Sequence, residues 1–92
     1  MTDESSVEGA RHDLVVRLKR VEGQIRGVQG MVEQGQDCEA IAVQLSAARK
    51  ALDRAFYELM ACAIRHPQFS GRQREAQDTR VERLTRVLAK LG

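Results

Sequence analysis

Tryptophan is absent from this 92-residue sequence, and Phe56, Tyr57 and Phe69 are its whole aromatic complement. Three rings are too few for the stacking platforms of single-strand nucleic-acid binders, and they leave any core to Leu, Val, Ile and Ala. Proline occurs once, at Pro67, so a proline break in helical structure is confined to one place. The only cysteines, Cys38 and Cys62, stand far apart and exclude a disulfide scaffold. No apolar run is long enough to span a bilayer, and the chain's start lacks the cationic and apolar stretches of a signal peptide. A soluble, cytoplasmic protein without membrane contact is expected. Enzyme signatures are also missing: there is no phosphate loop, no acid/base pair at fixed spacing and no nucleophile with a base in evident reach. An enzyme is not expected, since a Cys38/His66 pair would need a deep cleft that a short helical chain offers poorly.

The length allows one domain. Residues 1–10 carry Asp3, Glu4 and Glu8 and no base, a charge of −3; with +2 for the whole chain, residues 11–92 carry +5. An acidic, small-residue lead-in of this kind predicts a disordered tail over residues 1–10, ahead of a helical domain over 11–92.

What is present is helical periodicity. Leu14, Leu18, Val21, Ile25, Val28 and Val32 follow one another at spacings of 4, 3, 4, 3 and 4, a heptad seam that predicts helix 1 over about 12–34. Gly23, Gly27 and Gly30 form a stripe beside the seam and would let another helix or a DNA backbone approach closely. Gly35 is a natural stop and Asp37 a natural N-cap. The series Ile41, Leu45, Ala48, Leu52, Ala55, Leu59, Cys62 and His66 predicts helix 2 over about 38–66, ended by Pro67. A loop is expected over Gln68–Arg72, then helix 3 over about 74–91 on Val81, Leu84, Leu88 and Leu91. The combined apolar stripes exceed what one hairpin and a short third helix can cover. An antiparallel four-helix-bundle dimer through helix 2, with further pairing into a dimer of dimers, is the economical arrangement.

Basic residues cluster on both long helices: Arg17, Lys19, Arg20 and Arg26 on helix 1, Arg49, Lys50 and Arg54 on helix 2. An antiparallel hairpin would gather them on one broad face able to engage phosphates. Charge alone is equally compatible with an ordinary solvated surface, and no helix-turn-helix pattern is visible.

The run Arg17-Leu-Lys-Arg-Val-Glu-Gly-Gln-Ile-Arg-Gly27, with Cys38-(five residues)-Gln44-Leu45-Ser46-Ala47, resembles the bacterial CsoR/RcnR repressors from about His12 to His66. The resemblance implies a three-helix protomer in a homodimer or homotetramer. It implies binding to operator double-stranded DNA without a helix-turn-helix, with Arg17 and Arg54 matching positions that face DNA. It also places the family's sensor cysteine at Cys38. An ungapped alignment puts the family's remaining copper ligands at Ala63 and Pro67 and the extra nickel/cobalt histidine at Ser6, none of which suits its role.

Two routes remain for an effector. Cys62 and His66 are four residues apart and would share a helical face, so with Cys38 of a partner they form a candidate Cys2His set for Cu(I) or another soft or transition metal. Both also lie on the helix 2 seam, where a buried thiol and a helix-terminal histidine are the ordinary readings. Alternatively Cys38 reacts as a thiol, although the second cysteine of the persulfide sensors falls at Pro67, and the proline amine of the formaldehyde sensors is matched by Thr2. A helical interaction module, or a divergent paralogue that senses nothing, stands as the alternative to a switchable repressor.

Overall fold

Where apolar side chains recur every three and four residues, the chain is helical. A computed structural model describes residues 4–66, 69 and 76–91. Helix α1 spans Glu4–Glu33, α2 spans Cys38–Arg65 and α3 spans Gln77–Leu91, with no strand among the described residues. The all-α, three-helix reading therefore holds.

The start of α1 corrects one expectation. Residues 4–10 belong to the helix, which begins at Glu4 rather than near His12. The physical reason is Val7, which is buried and continues the heptad of Leu14, Val21 and Val28 one repeat backwards. The acid Glu8, near the start of the helix, suits its positive end. Arg11 then lies over the Phe69 ring, 5.6 Å from its centroid. Helix α3 begins at Gln77 rather than near Arg74; Arg74 and Glu75 lie outside the described residues, as do Pro67, Gln68 and Ser70–Gln73. Of the expected loop only Phe69 is described; its backbone is helical, and its N–H donates to the His66 carbonyl at 2.9 Å.

The α1–α2 turn is locked at both ends. Gly35 has φ +70°, its N–H donates to the Val32 carbonyl, and the Gln36 N–H donates to the Met31 carbonyl, each at 3.0 Å. That pair of bonds is the Schellman termination, which needs a left-handed residue at Gly35. Two residues later the Asp37 carboxylate accepts from the Glu39 and Ala40 N–H groups at 3.1 and 3.3 Å, capping α2. Cys38 is thereby fixed as the first residue of α2.

The hairpin itself is held by a narrow seam. On α2 the buried side chains Ala48, Ala55 and Cys62 recur every seven residues, and α1 buries Val7, Val21 and Val28 at multiples of seven. Small residues on α2 let α1 lie close. Helix α3 packs on the C-terminal half of α2, around Met60, Ala63 and Leu84 with Phe56, Ile64, Phe69 and Leu88. Arg80 is only 4% exposed. Its Nη2 donates to the Ile64 carbonyl at 2.8 Å, in the last turn of α2, where unpaired carbonyls attract a cation.

The resulting protomer is flat. Its extents are 52 × 29 × 15 Å and its radius of gyration is 16.9 Å, against about 12 Å for a compact chain of this length. Leu18, Ile25 and Val32 of α1 and Leu45, Leu52 and Leu59 of α2 all remain between 38% and 58% exposed. Among the described residues no helix is long and apolar enough to cross a membrane.

The turn can be tested by Gly35→Ala. A Cβ there would meet nothing within 4 Å, so the cost is backbone strain alone, about 1 kcal/mol. Urea unfolding followed by circular dichroism should show that loss, whereas an unchanged midpoint would contradict the left-handed cap.

Candidate nucleic-acid interface and sensing thiol

Successive residues turn by about 100° round a helix, so the buried seam of the α1–α2 hairpin divides the rest of its surface into two edges. One edge is apolar, carrying Leu18, Ile25 and Val32 beside Leu45, Leu52 and Leu59. The other carries charge. Arg17 of α1 and Arg54 of α2 line one cleft of 320 Å³ with Tyr57 and Glu58, so two cations distant in sequence converge. Arg20, one turn on from Arg17, is exposed on the same flank of α1.

The seven basic candidates do not form one face. Arg49 lines a different groove, of 520 Å³, with Ile25, Leu45 and Leu52 on the apolar edge, about 140° round α2 from Arg54. Lys50 borders a shallow depression with Val43 and Ala47 on the outer side of α2. Lys19 and Arg26 point from the outer side of α1, and Arg26 stands 4.0 Å from Glu22 across open surface, a weak pair that solvent screens. The glycine stripe is open: a Cβ on Gly23, Gly27 or Gly30 would meet nothing within 4 Å, so α2 is not the element for which those glycines make room. In sequence Tyr57 reads as packing or interface, and Glu58 does not stand out. Phe56 does meet Tyr57 edge-on, with centroids 5.3 Å apart, yet Tyr57 stays exposed beside the two arginines. Its position one turn beyond Arg54 is the only sequence signal that would have marked it.

The thiols are placed very differently. Cys38 is exposed at the head of α2 and Cys62 is fully buried, both unpaired by any disulfide. The 24 residues between them put them about 36 Å apart along the helix, so one protomer cannot join them. Cys62 shares the stripe of Ala48 and Ala55 in the hairpin seam, which turns its sulfur toward its own protomer. Ala63 is buried against Leu84 and offers no donor, and Pro67 lies outside the described residues. His66 is the half-buried C-cap of α2, with its backbone N–H on the Cys62 carbonyl at 2.8 Å.

Among the described residues no group of three or more His, Cys, Asp or Glu side chains could hold a metal ion. A Cys38/Cys62/His66 set does not fit a metal here, because Cys62 cannot serve without unpacking the seam. At the head of α2, Asp37 takes the Glu39 and Ala40 N–H groups, and Cys38 stands as an accessible thiol.

Residues 10–90 match the profile of a family described as metal-sensitive transcriptional repressors. The chain is 44% identical over 50 residues to the copper-sensing transcriptional repressor CsoR of Bacillus subtilis (strain 168), a stretch covering 54% of this chain and 50% of that protein. It is 38% identical over 50 residues to the copper-sensing transcriptional repressor RicR of Mycobacterium tuberculosis (strain ATCC 25618 / H37Rv), covering 54% and 52%. The chain thus spans about half the length of these curated relatives. No solved structure is significantly similar.

The contrast between the two thiols predicts one fast-reacting group per native chain. Alkylation followed by mass spectrometry should label Cys38 within the first phase, and Cys62 only when urea opens the hairpin. Equal labelling rates in buffer would contradict the buried position of Cys62.

Proposed function

Because the chain belongs to the family of metal-sensitive transcriptional repressors, we propose that it is a homo-oligomeric repressor that binds operator double-stranded DNA through its Arg17/Arg54 edge and releases it when an effector engages Cys38. The observation that carries this reading is the convergence of Arg17 and Arg54, from different helices, on one exposed cleft. Arg20 and Lys50 extend the positive edge on either side, and Lys19 and Arg26 add a more distant, sequence-independent attraction for phosphate. Arg49 has a different duty, since it faces the apolar edge.

Homodimerisation through the apolar edge doubles the cationic edge, and pairing of dimers doubles it again. The effector is one that a single exposed thiol can recognise: a soft metal ion such as Cu(I), or a thiol-reactive species. Copper sensing by CsoR and RicR favours the metal, and the missing donor at Ala63 favours direct chemistry on sulfur. In either case the effector must interact differently with the two states of the repressor, and a coupling of about 1–3 kcal/mol is typical of such linkage. The protein is read as cytoplasmic, where its operator would be.

Fluorescence anisotropy with DNA from the protein's own upstream region tests this. Affinity should fall steeply with salt, and Arg17→Ala should weaken binding and lower the salt slope by about 1 for each phosphate that the side chain neutralises. Cu(I) or an organic polysulfide should release the DNA from the wild type and not from Cys38→Ala. Salt-independent binding, or none, would mean a helical interaction module and retire the repressor reading.

A further inference from the structure

Arg49 borders the apolar edge, and Asp53 stands one turn on and about 40° further round α2; the protomer leaves both charges idle. Arg49 and Asp53 are both exposed, and neither side chain has an ion pair or hydrogen bond among the described residues. They stand four apart on α2, yet do not pair with each other, whereas Glu22 and Arg26, at the same spacing, do. The order matters: an acid placed before the base aligns with the helix dipole, and Arg49 before Asp53 is the weaker arrangement. Arg49 also lines the groove of Ile25, Leu45 and Leu52, so its charge borders the surface that has most to gain from being covered.

We infer that Arg49 and Asp53 set the alignment of two copies of this chain, each Arg49 pairing with the partner's Asp53 across an antiparallel α2–α2 contact centred on Leu52. This rests on the homodimer reading above. Leu45 and Leu59 lie seven residues to either side of Leu52, so the apolar stripe is complementary to itself under a two-fold axis through Leu52, as an isologous interface requires. With a rise of about 1.5 Å per residue, Arg49 lies about 4.5 Å from the level of that axis and the partner's Asp53 about 1.5 Å from it on the same side. An offset of about 3 Å along the helix is well within the length of an arginine side chain, and symmetry forms the pair twice. In a parallel contact the two-fold would carry the partner's Asp53 to the opposite flank from Arg49, so the pair could not form. The idle pair therefore selects one orientation out of two that the leucines alone would accept.

The alignment has a consequence for sensing. Fourteen residues separate Leu52 from Cys38 on one side and from His66 on the other, so the exposed thiol comes level with the partner's His66 and not with the buried Cys62.

Charge exchange tests the pair. Two full-length variants, Arg49→Glu and Asp53→Arg, are compared with wild type by sedimentation velocity, and an equal mixture of the two by native mass spectrometry. Wild type should be a dimer or a dimer of dimers, each variant alone should dimerise at least about tenfold more weakly, and the mixture should form mainly heterodimeric pairs, because only there does each charge meet its opposite. Circular dichroism should report the same helicity throughout, since both positions are exposed. Variants that dimerise as tightly as wild type, or a mixture with a statistical ratio of dimers, would overturn the pairing while leaving the homodimer intact. A monomeric wild type would overturn the homodimer reading, and this inference with it.

Discussion

The close approach of α1 to α2 over Ala48, Ala55 and Cys62 is the contact from which the rest of the protomer follows. It uses small side chains on α2 and β-branched valines on α1, so it is tight but narrow. A narrow seam cannot hide the larger residues that flank it. Leu45, Leu52 and Leu59 are pushed to one edge with Leu18, Ile25 and Val32, while Arg17 and Arg54 come together on the other. One packing choice thus produces both an apolar edge left open to solvent and an edge where two cations converge. Full burial of a leucine contributes about 1.5–3 kcal/mol, so the half-exposed leucines represent stability that the protomer alone does not reach.

The same seam governs the chemistry open to the thiols. Because Cys62 fills a small-residue position in it, its sulfur is part of the packing, and the accessible sulfur chemistry belongs to Cys38. Asp37 holds Cys38 at the head of α2 through the cap on Glu39 and Ala40, and Gly35 fixes the turn before it. An event at Cys38 therefore bears directly on the orientation of α2, the helix that also carries Arg54. Arg80 anchors the other end of α2 through the Ile64 carbonyl, which leaves a helix with the exposed thiol at one end and the docked α3 at the other.

Much of this is legible in the sequence, for identifiable reasons. The 4–3 spacing from Ile41 to His66 reads directly as α2, and Gly35 and Asp37 mark the turn because only a left-handed residue and a side-chain acceptor suit those places. The first turns of α1 are hidden because their composition is acidic and small; the burial of Val7 outweighs it, and a single valine is a weak signal in a window of that kind. Within the site, Arg17 and Arg54 are readable as partners through the family resemblance, but the separation of Arg49 from Arg54 is a matter of rotation round α2 and emerges only when the seam direction is known. The same rotation separates Cys62 from the exposed stripe of Leu45, Leu52 and Leu59. Arg80 gives no warning in sequence, since a buried arginine in an amphipathic helix looks like any other charged residue.

If the hairpin seam leaves each protomer incomplete, folding and association must be linked. The most direct test is the urea midpoint of the wild-type protein, followed by circular dichroism over a roughly hundredfold range of concentration. The midpoint should rise with concentration, with apparent stability growing by about 1.4 kcal/mol per tenfold for a dimer that unfolds to monomers. A midpoint that stays constant across the range would show that the protomer is stable by itself, and would contradict the claim that its apolar edge exists to be covered by a second copy.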